Sequence, residues 1–163
     1  MLSSILAAVV GVLVIAADRI SKIIVTKTFL LYQSKPFLKG LLDFYYIKNS
    51  GAAWGILGGK TISLIILTIV LLVLGIYAFI KFGRQSKLFI WAFTLILSGG
   101  IGNLIDRIFC GGEVIDFLQF AFWQSFPVFN IADCSICVGA GLLILYFILD
   151  TYKERKEKDG NNK

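Results

Sequence analysis

The chain has 163 residues and no histidine, which removes much of the usual proton-transfer chemistry at the outset. Ser-His-Asp and Cys-His mechanisms are excluded, as is a histidine-ligated zinc hydrolase. A Ser-Lys dyad needs a desolvated lysine beside a serine. Lys22 is the only candidate, and the adjacent Ser21 points to a different helical face. Paired carboxylates remain. Two carboxylates held close together do not both ionise, so one keeps its proton. The ionised member can take a proton from a water that attacks a carbonyl. The protonated member can donate to the oxygen or to a leaving amine. Asp116 and Asp133, which flank one aromatic segment, are the best pair for this division of work. Such a mechanism asks for water and two acids, and for no metal or other cofactor.

Those two acids have to be positioned by a chain that is 58% hydrophobic, against roughly 45–50% for a soluble domain. So much apolar surface could not be buried in one small core, but lipid can solvate it. A membrane-spanning helix needs about 20 mostly apolar residues, and four runs qualify: Leu2 to about Val25, Ile62 to Ile80, Leu88 to Ile105, and about Ile131 to Leu149. The predicted fold is an all-α membrane protein of four transmembrane helices with a small extracytoplasmic β-sheet. The strand-forming run Asp43 to Lys48 supplies that sheet. The apolar N-terminus has no basic leader and is read as the first span rather than as a removable signal peptide. Residues 1–152 make the membrane domain, and the charged tail that follows is expected to fray. The net charge of +6 sits between the apolar runs, as membrane-flanking charge does, and does not suggest nucleic acid.

Four spans put both termini on one side of the membrane. That side carries Lys81, Arg84 and Lys87 with Lys153, Arg155, Lys156, Lys158 and Lys163, and the other carries Lys27, Lys35, Lys39, Lys48 and Lys60. The excess favours cytoplasmic termini. The second outer loop holds no basic residue and is rich in aromatics, from Phe117 to Phe129. Such a loop suits the headgroup zone and could cover a site.

Polar residues at span ends are costly and need a reason. Asp18 and Lys22 are four apart on one helical face and can pair. Asn49-Ser50-Gly51-Ala52-Ala53-Trp54 precedes the second span. Asn103, Asp106 and Arg107 close the third on one face. Asp116 follows in a loop, and Asn130-Ile131-Ala132-Asp133 opens the fourth span. Topology sends all five groups to the outer side, and nothing comparable lies on the inner one.

These motifs identify a resemblance. From Asp18 to about Gly139 the chain resembles the bacterial lipoprotein signal peptidase (signal peptidase II) family. The resemblance rests on Asp18-Arg19-Ile20-Ser21-Lys22, the Asn49–Trp54 run, Gly102-Asn103-Leu104-Ile105-Asp106-Arg107, Glu113-Val114-Ile115-Asp116-Phe117 and Phe129-Asn130-Ile131-Ala132-Asp133. It implies a multi-pass aspartic endopeptidase of the bacterial cytoplasmic membrane, acting on its outer side. Such an enzyme cuts the signal peptide of a diacylglyceryl-modified prolipoprotein just before the modified cysteine. It further implies that Asp116 and Asp133 are catalytic. Asn49, Gly51, Asn103, Arg107, Asn130 and Ala132 would support substrate and dyad, with Asp18 and Lys22 as a first-span pair. The partners implied are prolipoproteins and membrane lipids, for a monomeric enzyme. Arg19 stands where a glutamine is common in the family, and Cys134 and Cys137 have no role assigned by the resemblance.

Each motif also has a plain reading. Asp133 could simply cap a helix. Asp116 could be a solvated loop acid. Asp106-Arg107 could be an interfacial anchor, Asp18-Lys22 a structural pair, and Asn49 a turn residue. Gly99, Gly100 and Gly102 suit close helix packing. Two rival functions remain. One is a membrane thiol oxidoreductase using Cys134 and Cys137, a C-x-x-C at a helix start; Cys110 is the only further cysteine. The other is a small transporter using Asp18 as a proton site. Within the carboxylate reading, Asp133 near a helix N-terminus is expected to be the ionised base. Asp116, desolvated in its aromatic loop, is expected to hold the shared proton.

Overall fold

The structure is a computed structural model and describes residues 2–52, 56–82 and 86–161. Four helices form the membrane bundle: α1 (Leu2–Thr28), α2 (Thr61–Phe82), α3 (Lys87–Phe109) and α4 (Ile131–Asn161). Each is long and apolar enough to cross a bilayer. Their outward side chains are bare: Val12, Ile62, Leu71, Ile80, Ile144 and Ile148 are all more than half exposed. In water such a surface would drive aggregation, whereas hydrocarbon chains solvate it at no cost.

The bundle centres on α3, which packs against α1, α2 and α4. Small residues allow this. A Cβ on Gly99 would lie 2.3 Å from the carbonyl oxygen of Ala132 on α4. One on Gly102 would lie 2.9 Å from an Asp18 carboxylate oxygen on α1 and 3.2 Å from the Ala132 methyl. Gly102 therefore leaves room where α1, α3 and α4 meet. Gly100 faces Leu72 of α2 instead.

A three-stranded antiparallel sheet lies at one end of the bundle, in the order β1 (Ser34–Leu38), β2 (Leu42–Asn49), β3 (Val114–Phe120). The strand expected over Asp43 to Lys48 is the middle of β2. Strand β3 was not expected, and it corrects the placement of Asp116: this residue sits in a strand opposite Ile47, not in a loop. The turn from α3 into β3 uses Gly111 and Gly112, with φ of 68° and 91°, a region that favours glycine. The sheet packs on the bundle through Val25, Tyr46, Ile115 and Phe117, with Phe29, Phe44 and Ile131 around them.

Helix ends also differ from expectation. α3 continues to Phe109, so Asp106 and Arg107 lie within the helix rather than just beyond it. The tail after residue 152, expected to fray, is helical as far as Asn161 and continues α4. Lys, Glu and Arg are good helix formers, and adding residues to an existing helix avoids the cost of nucleation.

Candidate active site

Asn130 opens α4, and its side chain and backbone tie that helix end to Asp133. Asn130 Oδ1 accepts from the Asp133 backbone N–H at 2.9 Å, and Asp133 Oδ2 accepts from the Asn130 N–H at 3.1 Å. This reciprocal arrangement is a capping box built with Asn and Asp. Asp133 thus does serve the helix end, as the plain reading had it. Its other oxygen, Oδ1, is left to accept from Asn103 Nδ2 of α3 at 2.7 Å.

The same Asn130 reaches Asp116. Its Nδ2 donates to Asp116 Oδ1 at 2.6 Å and lies 3.1 Å from Asn103 Oδ1. Asp116 Oδ2 accepts from Asn49 Nδ2 at 2.9 Å, and Asn49 Oδ1 in turn accepts from the Gly51 N–H at 2.9 Å. All four carboxylate oxygens therefore carry a donor from an asparagine. Asp116 is 2% exposed. Burial, and next the charge of Asp133, push its pKa up to about 7.

Behind the dyad lies a charged network whose centre is buried. Lys22 Nζ is 2.8 Å from both Asp18 Oδ2 and Asp106 Oδ2, and all three side chains are fully buried. Lys22 also donates to Asn103 Oδ1 at 3.1 Å. Arg19 forms an ion pair with Asp106. The network reaches both halves of the site. Asp18 Oδ1 accepts from the Ala132 N–H at 2.9 Å, fixing the α4 terminus that carries Asp133. Asp106 Oδ2 accepts from the Ile115 N–H at 3.2 Å, fixing the strand one residue before Asp116. Ala132 itself is fully buried.

Asp116 and Asp133 line one cavity of about 440 Å³. Asn49, Gly51, Asn103 and Arg107 supply its polar wall, and Phe120, Phe126 and Phe129 its aromatic one. Arg107 donates to the Gly51 carbonyl at 3.1 Å, and its Nε has no hydrogen-bond partner among the described residues. The loop aromatics pack on one another, with Phe120 and Phe129 rings 5.1 Å apart. Phe122 and Trp123 face outward, 65% and 51% exposed. The loop therefore offers both a cavity wall and a surface suited to the membrane interface.

The structure gathers all ten candidate site residues at one end of the bundle. The Ala53-Trp54 end of the second motif lies outside the described residues. Asp106 stood in the sequence as part of the Gly102–Arg107 motif and as an interfacial anchor, without a site role of its own. Its contact with the Ile115 backbone had no sequence signal, because β3 itself was not foreseen.

Four membrane-length helices thus carry a small sheet over one end, and two carboxylates line one cavity there. A family model described as signal peptidase (SPase) II matches residues 10–149. The lipoprotein signal peptidase of Halalkalibacterium halodurans is 39% identical over 152 residues, spanning 93% of this chain and 97% of the relative. Those of Bacillus pumilus and Enterococcus faecalis are 40% and 35% identical, spanning 96% and 94% of the relatives and 91% and 94% of this chain. A bacterial membrane enzyme solved by the in meso method at 2.3 Å resolution superposes with a TM-score of 0.83 at 37% identity, covering 93% of this chain and 90% of that one. The chain belongs to the signal peptidase II family of aspartic membrane peptidases. Nothing in these similarities supports the thiol oxidoreductase alternative.

Proposed function

We propose that this lipoprotein signal peptidase uses Asp116 and Asp133 as its catalytic pair. They cleave a diacylglyceryl-modified prolipoprotein before its lipidated cysteine, in the cavity between α3, α4 and β3. The observation that carries this is the shared asparagine cradle: one residue, Asn130, donates to both carboxylates, with its side chain to Asp116 and its backbone N–H to Asp133, and each acid keeps a second asparagine donor. Asp133 acts as base on the attacking water. Asp116 holds the shared proton and gives it to the scissile carbonyl oxygen as Asp133 takes one from the water; when the resulting diol collapses, its hydroxyl returns a proton to Asp116 and Asp133 passes its own to the departing amine. Asn49, Asn103 and Asn130 hold the acids at their spacing. Arg107, held through Gly51, lines the same cavity, and its guanidinium serves as donor to a substrate carbonyl. The direct test is cleavage of a lipidated prolipoprotein by the purified enzyme; a folded protein that leaves it uncut defeats the reading.

The raised pKa of Asp116 gives a pH prediction. A proton held up to about pH 7 is lost as pH rises further, and the acid role goes with it. kcat/KM should therefore fall on the alkaline side with an apparent pKa near that value. That apparent pKa belongs to the pair rather than to one residue. A rate that stays flat from pH 6 to about pH 9 would contradict the assignment.

The enzyme sits in the bacterial cytoplasmic membrane as a monomer among lipids. Both termini, including the tail from residue 153, lie in the cytoplasm, and the sheet and dyad face outward. Single cysteines introduced near Gly58 and Gln124 in a cysteine-free background should label from outside intact cells, and one at Gln85 should not. The opposite pattern would invert the topology.

A further inference from the structure

Cys134 and Cys137 serve no step above, yet both are free and exposed, and both line the cavity that holds Asp116 and Asp133. They lie three residues apart in the first two turns of α4, a spacing that puts both on the same side of the helix. Cys134 directly follows Asp133. The third cysteine, Cys110, lies elsewhere, beside Arg19, Tyr46 and Lys48. Aromatic and aliphatic side chains make up much of the cavity wall around the two thiols, including Phe126, Val128 and Ile136. Such a lining admits small uncharged molecules more readily than ions.

We propose that Cys134 and Cys137 form a covalent modification site inside the catalytic cavity, one that takes small, uncharged carbon electrophiles with an activated double bond. The sulfur bonds to one alkene carbon and the thiol proton ends on the other. Nothing is oxidised and no group leaves. The adduct then stands where the substrate backbone must lie, so modification blocks cleavage although neither thiol takes part in it. The inference rests on the proposed function for its readout of cleavage, but not for its readout of labelling.

The test treats the detergent-solubilised full chain with N-ethylmaleimide. Adducts are mapped by mass spectrometry, and cleavage of a lipidated prolipoprotein is measured before and after. Adducts are expected at Cys134 or Cys137, with cleavage falling at least about tenfold as they fill the cavity. The Cys134→Ala/Cys137→Ala variant should cleave as the untreated wild type does and should resist the reagent. Cys110→Ser should remain sensitive. Three results would each overturn the proposal: neither thiol labelled in folded protein, both labelled with cleavage unchanged, or the double variant inactivated as the wild type is. If the untreated wild type and the double variant both fail to cleave, the proposed function fails instead. In that case labelling at the two thiols, and its slowing by a bound lipidated peptide, still decide the proposal.

Discussion

Asp116→Asn and Asp133→Asn should each cut prolipoprotein cleavage by at least about 100-fold, the scale of a lost general acid or base. The amide keeps the shape of the acid, so the cradle of Asn49, Asn103 and Asn130 is largely retained. What disappears is the ability to move a proton. Ala at either position should therefore be about as inactive as Asn, although Ala also empties the cradle. A structural role would give the reverse, with Asn much milder than Ala. Substrate affinity should separate the two sites. Asn at 116 resembles a protonated acid and should spare binding better than Asn at 133, where the capping box is also disturbed. Infrared difference spectra test the proton's location. If the protonated-carboxyl band survives in Asp116→Asn and vanishes in Asp133→Asn, the roles are reversed.

The second large effect concerns a residue with no direct part in the chemistry. Asp106→Ala strips a buried partner from Lys22, takes the ion-pair partner from Arg19 and leaves the Ile115 N–H without its acceptor. Removing one member of a buried charged set typically costs about 3–5 kcal/mol, because the remaining charge is left uncompensated. The thermal midpoint in detergent should drop sharply, and cleavage should fall with it as β3 loosens from α3. The double variant Arg19→Leu/Asp106→Leu removes one charge of each sign. It should melt above Asp106→Ala, because Lys22 then keeps Asp18 without an excess positive charge beside it. Equal melting points for wild type and Asp106→Ala would refute this account.

The two acids and the network behind them left different traces in the sequence. The acids themselves were visible, since a polar side chain at the end of an apolar run is conspicuous. The four spans were visible for the same reason: lipid imposes one length and one composition on whatever crosses it. Strand β3 was not. Val114-Ile115-Asp116-Phe117-Leu118 does not alternate cleanly, because its first four residues are buried on both faces. Its hydrogen-bonding partner, β2, lies more than sixty residues earlier, and nothing local announces so distant a pairing. The end of α4 was misjudged for another reason. Charge marked the end of the lipid-solvated stretch, but the backbone has no need to leave the helix where the side chains leave the membrane. Arg19 differs again. As a departure from the family's usual residue it carried no meaning by itself, and only the fold puts its guanidinium on Asp106.

Asn130 has a consequence for how the enzyme loses activity. The same amide that terminates a helix also holds the two acids in register. Helix ends open far more often than helix middles. Each time the first turn of α4 unwinds, the dyad comes apart, with the rest of the bundle intact. Catalytic competence should then be set by a local opening equilibrium, not by global unfolding. Under rising denaturant or temperature, turnover should decline ahead of bulk helix loss, in step with deuterium uptake at the Asp133 amide.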